Sequence, residues 1–165
     1  GISCSELEFR SRLQGMSMEM NSRNIALENG HGNTTNTSNN RGNRAKVLND
    51  HNIYRARHHA NPLQLSTALN NSAQAFAEQL AMNDGGLSHS GSGYGENLDC
   101  GYQVSNVTAE WYSEVASYNF GYGGYSQSTG HFTAIVWRST TSLGVGIAQS
   151  ASGKQFIVAH YYPAG

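Results

Sequence analysis

Gly130-His131-Phe132-Thr133-Ala134-Ile135-Val136-Trp137 opens the part of the chain whose reading decides the fold. Residues 132–137, 144–148 and 155–161 are rich in Val, Ile and aromatic side chains, and Ala151-Ser152-Gly153 separates the last two with turn chemistry. All three runs are expected to be strands. Upstream, Leu65, Leu69, Ala73, Phe76, Ala77 and Leu80 mark one face of a helix. Ser66 or Thr67 would be its N-cap, and Asn83-Asp84-Gly85-Gly86 would end it. Before it, Val47, His51, Tyr54 and His58 share the face of another helix, which should stop ahead of Asn61-Pro62. A Gly/Ser-rich loop over residues 89–95 and a further helix over 106–115 complete the middle. Helices come first and strands last, with single strands allowed in the loops between. That order predicts an α+β domain, helices packed around a small sheet.

Outward from this core the texture changes. Residues 29–43 read NGHGNTTNTSNNRGN, without one aliphatic or aromatic side chain to offset the entropy of ordering. This stretch is expected to be a flexible polar linker between an N-terminal arm over 1–28 and a domain over 44–165. In the arm, Phe9, Leu13, Met16 and Met20 follow a helical stripe too narrow, and among charges too mixed, for a membrane-surface helix.

The 165 residues carry 10 Lys+Arg against 11 Asp+Glu, a formal net charge of -1. No excess of cation is present to neutralise phosphates, so nucleic acid is not an expected partner. No run approaches the roughly 20 apolar residues of a membrane span. Cys4 and Cys100 allow one disulfide between arm and domain. Sequons at Asn33, Asn36, Asn70 and Asn106 lean toward a secreted glycoprotein.

Most of the seven histidines have ordinary settings. His31 lies in the linker; His51, His58 and His59 lie on the first helix; His160 sits in a strand beside Tyr161 and reads as structural. His89 and His131 stand at element boundaries among small residues, with Glu96 and Glu114 nearby in sequence. Two imidazoles and two carboxylates brought together suit a borderline divalent cation such as zinc, the carboxylates as ligands or as partners that orient the rings. Ser88 and Ser90 flank His89, but no GxSxG elbow accompanies them.

The run from Gly130 through Trp137 to Arg138-Ser139-Thr140 closely resembles the first signature of the CAP superfamily, which comprises cysteine-rich secretory proteins, antigen 5 and plant pathogenesis-related proteins. Residues 156–165 look like its second signature. Leu48-Asn49-Asp50-His51-Asn52 with Arg55 and Pro62-Leu63, Gly95-Glu96-Asn97-Leu98, and Trp111-Tyr112-Ser113-Glu114 match further blocks in order. Within the superfamily the pattern is similar to the Golgi-associated plant-pathogenesis-related proteins. One departure is Ala159, where the second signature commonly has Cys.

The resemblance implies a three-layer α-β-α sandwich. It implies a cleft lined by His89, Glu96, Glu114 and His131 that holds zinc or another divalent cation in some members. It also implies an aromatic loop, with Tyr118, Phe120 and Tyr125 at the places linked to sterol binding. The expected function is that of a secreted, non-enzymatic module that binds a divalent cation and a sterol, fatty acid or other lipid, or a protein receptor. Homodimer formation belongs to the same expectation. Two alternatives stand beside it: a metal-dependent hydrolase or protease using the same cleft, and an extracellular signalling module whose cleft is vestigial. A Golgi or membrane-associated location is the alternative to secretion.

Overall fold

The computed structural model describes residues 33–102 and 105–165, with side chains from residue 38 onward. In chain order they form helix α1 (Asn33–Arg57), a two-residue strand β1 (Gln64–Leu65), helix α2 (Thr67–Asn83) and strand β2 (Gly95–Gly101). Helix α3 (Val107–Tyr112) follows, then 3-10 turns at Ser113–Ser117 and Gln127–Thr129, helix α4 (Gly130–Val136), and strands β3 (Ser142–Gln149) and β4 (Gln155–Tyr162). The sheet has the order β1-β3-β4-β2, with β1 parallel to β3 and the other pairs antiparallel.

Strand alternation divides the core in two. Leu98, Cys100, Phe156 and Val158 point to one face and meet Ala73, Ala77 and Leu80 of α2. Leu143, Val145, Ile157, Ala159 and Tyr161 point to the other, against Val47 of α1, Val107 and Trp111 of α3 and Ile135 of α4. One helix below the sheet and three above make the α-β-α sandwich that the resemblance implied.

Ser66 caps α2, its hydroxyl accepting the Leu69 N–H at 3.3 Å, and Asp84 ends the helix in the left-handed region with φ 47°. Helix α2 lies unusually close to β3. A Cβ built on Gly144 would fall 2.1 Å from the Leu69 carbonyl carbon, and one on Gly146 would fall 2.3 Å from that of Ala73. Only hydrogen at those two α-carbons admits the helix. The closeness has a second use. Strand β1 covers β3 only at Ser142 and Leu143, so the rest of that edge has no strand partner among the described residues. Side chains supply it: Asn70 Oδ1 accepts from Val145 N at 2.9 Å, Gln74 bridges both backbone groups of Ile147, and Arg44 Nε donates to Val145 O at 2.8 Å.

Three expectations are corrected. Residues 132–137 are not a strand: 132–136 are the body of α4 and Trp137 ends it. A short apolar run does not distinguish a buried strand from a buried helical turn, and tertiary contacts decide. Phe132 and Ile135, three apart, are both buried, and four carbonyls around the end of the helix accept from one buried side chain, Arg55. The expected flexible linker over 29–43 overlaps α1, which is helical from Asn33 onward. Once Val47 and Arg44 anchor the helix, each residue added toward its N-terminus needs only propagation, not a new nucleus. The helix over 106–115 is also shorter than expected, passing into a 3-10 turn at Ser113.

Cys100 is buried and disulfide-bonded. Cys4, its expected partner, and the arm over 1–28 lie outside the described residues.

Candidate functional site

Arg55 shows how the fold fixes the neighbourhood of His131. The guanidinium is fully buried and, among the described residues, meets no carboxylate; instead it donates to Asn61 O (2.7 Å), Ile135 O (3.0 Å), Trp137 O (2.8 Å) and Thr140 O (3.0 Å). Those acceptors include orphan carbonyls at the end of α4, where a cation is also favoured by the helix dipole. Burial lowers the Arg55 pKa from its usual value, but arginine stays charged in proteins. At the other end of α4, Glu114 Oε2 accepts the Phe132 N–H at 3.0 Å while its Oε1 meets His131 Nδ1 at 2.8 Å. One carboxylate therefore caps the helix and aims the imidazole. The Trp111 ring stacks on His131 with centroids 6.2 Å apart.

The backbone of His131 is tied in as well. Asn97 donates through Nδ2 to both His131 O and the Tyr161 hydroxyl, each at 3.1 Å. That hydroxyl lies 2.7 Å from His51 Nε2, and His51 Nδ1 lies 2.8 Å from Val47 O. A carbonyl only accepts, so Nδ1 carries the proton and Nε2 accepts from Tyr161. Burial, the largest influence, pushes the His51 pKa down to about 4, so the ring is neutral at pH 7.

Next to Asn97 on β2, Glu96 organises the second pair. Oε1 accepts from His89 Nδ1 (2.8 Å) and Ser90 N (2.9 Å); Oε2 accepts from Ser90 Oγ (2.5 Å) and His160 Nε2 (2.7 Å). Burial pushes the Glu96 pKa up, but bonds from His160, Ser90 and His89 outweigh it and hold the carboxyl at about 2. All four donors point at one ionised group, which leaves it little capacity for a further ligand.

The four residues expected around a metal thus form two pairs, His89–Glu96 and His131–Glu114. Among the described residues no group of three or more His, Cys, Asp and Glu stands together as a metal cage. The donor chemistry nonetheless fits a cation. In each pair Nδ1 is directed at a carboxylate, the arrangement that leaves the Nε2 lone pair for a ligand.

His160 is the residue the sequence undervalued. Its Nε2 bonds Glu96 and its Nδ1 bonds Ser72 Oγ at 3.0 Å. The order serine–imidazole–carboxylate matches a hydrolytic relay, but His160 is only 1% exposed, so its ring acts as an anchor. The position of His160 opposite Glu96 depends on strand register, for which the sequence carries no local signal. Ser90 does not match a nucleophile either, since its hydroxyl donates to a carboxylate rather than to an imidazole.

The aromatic loop divides. Tyr118 and Phe120 meet edge to face at 4.9 Å and both contact Phe132. They line a cavity of about 620 Å³ with His58, His59 and Trp137. Tyr125 does not line it; its ring lies against Gly130 at the start of α4. Of the expected glycosylation sites, Asn106 is exposed and accepts from Lys46 Nζ at 3.3 Å, whereas Asn70 is half-buried on α2 with its oxygen on β3. The side chains of Asn33 and Asn36 lie outside the described residues.

The described layers recur in solved structures. Schistosoma mansoni venom allergen-like protein 4 superposes with a TM-score of 0.63 at 18% identity, covering 73% of this chain and 88% of that one. A structure of NaASP2 with Zn2+ matches at TM-score 0.56 and 22% identity, over 74% and 80% of the two chains. In sequence, the Golgi-associated plant pathogenesis-related protein 1 of Homo sapiens is 43% identical over 127 residues, which are 73% of this chain and 82% of that protein. Secreted protein RBT4 of Candida albicans is 37% identical over 124 residues, 73% of this chain but only 34% of its own length. No helix among the described residues is long and apolar enough to cross a membrane. With the sandwich and these relatives in agreement, and with the family model matching residues 48–161, the chain belongs to the cysteine-rich secretory protein (CAP) family.

Proposed function

We propose that the protein is a secreted, non-enzymatic binding module that takes a divalent cation, zinc foremost, on Nε2 of His89 and His131. Glu96 and Glu114 orient the rings from behind. The observation that carries this reading is the direction of both Nδ1 atoms, each 2.8 Å from a carboxylate oxygen. A structural relative solved with Zn2+ supports the choice of metal. The secreted and Golgi-associated relatives support an extracellular or secretory-pathway location. The cavity beside Tyr118 and Phe120 serves as a second site, for an organic ligand with a largely apolar body, the sterol or lipid expected from the resemblance being one such body.

A hydrolase at the same place would need a general base with pKa near neutrality. Glu96 is already bonded by four donors, and both oxygens of Glu114 are engaged by His131 Nδ1 and Phe132 N, so neither carboxylate is placed to take a proton from a bound water. The test is calorimetric titration of zinc into chelator-stripped protein, beside the His89→Ala/His131→Ala double variant. One ion per chain, lost in the variant, is the expected result. Wild type that takes up no zinc at millimolar concentration would overturn the reading.

A further inference from the structure

The cavity at the end of α1 is walled by rings. Tyr118, Phe120, Phe132 and Trp137 line it together with the imidazoles of His58 and His59, and Val136 is the one aliphatic side chain among its lining residues. The rings already pack on one another, His58 parallel to Phe120 at 5.9 Å and Phe132 edge-on to His58 at 5.3 Å. Such faces favour a flat, rigid ligand, which makes offset and edge-to-face contacts and loses few rotors on binding.

The rim carries a definite charge. Arg57 and Arg138 line the cavity, and among the described residues no Asp or Glu does. Among the described residues neither arginine takes part in an ion pair. Arg57 lies over the Tyr54 ring at 5.1 Å, which steers its guanidinium without neutralising it. His59 closes α1 in the left-handed region with φ 56°, Ala60 N donating back to Arg55 O at 3.0 Å, and that turn places its imidazole among the cavity walls.

We propose that this cavity binds a planar aromatic anion, an aryl carboxylate or sulfonate, with its rings between the aromatic walls and its acid group on Arg57 and Arg138. The inference rests on the reading of the Tyr118–Phe120 cavity as a ligand site and gives that ligand its chemistry. It is independent of the metal.

The test is calorimetry on the whole chain with 2-naphthoate and its neutral isostere 2-naphthamide, followed by palmitate and cholesterol as separate probes. Naphthoate is expected to bind once per chain and about tenfold more tightly than naphthamide. Arg138→Gln, at an exposed side chain, should weaken naphthoate much more than naphthamide and so remove most of that tenfold preference. Equal binding of acid and amide, or a preference that survives Arg138→Gln and Arg57→Gln together, would overturn the proposal. Palmitate or cholesterol bound where naphthoate is not would also overturn it while upholding the cavity as a lipid site. Failure of all four probes would remove the cavity reading as well.

Discussion

Glu96 and His160 face each other across the β2–β4 pair as register partners, Oε2 and Nε2 2.7 Å apart and both side chains nearly out of solvent. Because Glu96 also holds His89, one buried carboxylate links the sheet to the candidate cation site. Glu96→Gln replaces an ionised acceptor by an amide whose NH2 must face a donor. The expected loss is about 2–4 kcal/mol in urea unfolding. His160→Ala should lower stability less, since three donors to Glu96 remain. The double variant should fall short of the sum by more than about 1 kcal/mol. Strict additivity would show that the two residues do not act as a unit.

Arg55 makes the next prediction. Its planar fork satisfies four carbonyls spread over Asn61 to Thr140, a geometry that the single ammonium of lysine cannot reproduce. Arg55→Lys should therefore cost about 2 kcal/mol or more despite keeping the charge, and Arg55→Ala about 3–5 kcal/mol. Amide exchange would speed up first in α4, because its terminal carbonyls lose their partner. A lysine variant as stable as wild type would refute this account.

Arg55 and His160 also mark how far the sequence could be read. Helix α2 was legible because its cap, its apolar stripe and its Asp84-Gly85 stop are all local, and β4 because Phe156 to Tyr161 alternate between two buried faces. Strand β3 was legible from its β-branched residues, although the glycines between them gave no hint that a helix rests there. Helix α4 was misread because what makes it a helix is remote: Arg55, 80 residues before Ile135, and the Glu114 cap, 18 before Phe132. The paired His–Glu residues were visible as residue types and family positions, but their division into two pairs follows from the placement of β2 and the 3-10 turn at Ser113–Ser117. His160 needed strand register, and the separation of Tyr125 from the cavity needed the conformation of a glycine-rich loop.

The pH dependence of stability turns on His51. Burial, helped by Arg55 and opposed by the Val47 carbonyl and Asp50, sets its folded pKa near 4, against 6.5 in the unfolded chain. Between those values the unfolded chain binds more protons, so stability rises with pH. The contribution is complete above pH 6.5 and is lost as pH falls from 6.5 toward 4. Its size is about 3 kcal/mol, and His51→Gln should flatten the slope in that window while lowering stability at pH 7. Denaturation midpoints taken between pH 4 and 7.5 measure both. A wild-type slope that persists unchanged in the variant would assign it to another group.

Gly146 and Gly42 should respond to alanine with opposite signs. A Cβ on Gly146 would fall 2.3 Å from the carbonyl carbon and oxygen of Ala73, backbone atoms in the middle of α2 that cannot turn aside. To admit it the helix must lift from β3, which breaks the Gln74 bonds to Ile147 on the same edge. Gly146→Ala is expected to destabilise by at least about 3 kcal/mol or to prevent folding. Gly42 lies within α1, where a Cβ would meet nothing within 4 Å. There alanine narrows the unfolded ensemble and raises helix propensity, so Gly42→Ala should stabilise by up to about 1 kcal/mol. Thermal melts of the two variants decide it. A neutral Gly146→Ala would mean that α2 does not rest on β3, and a destabilising Gly42→Ala would mean that α1 does not extend to that point.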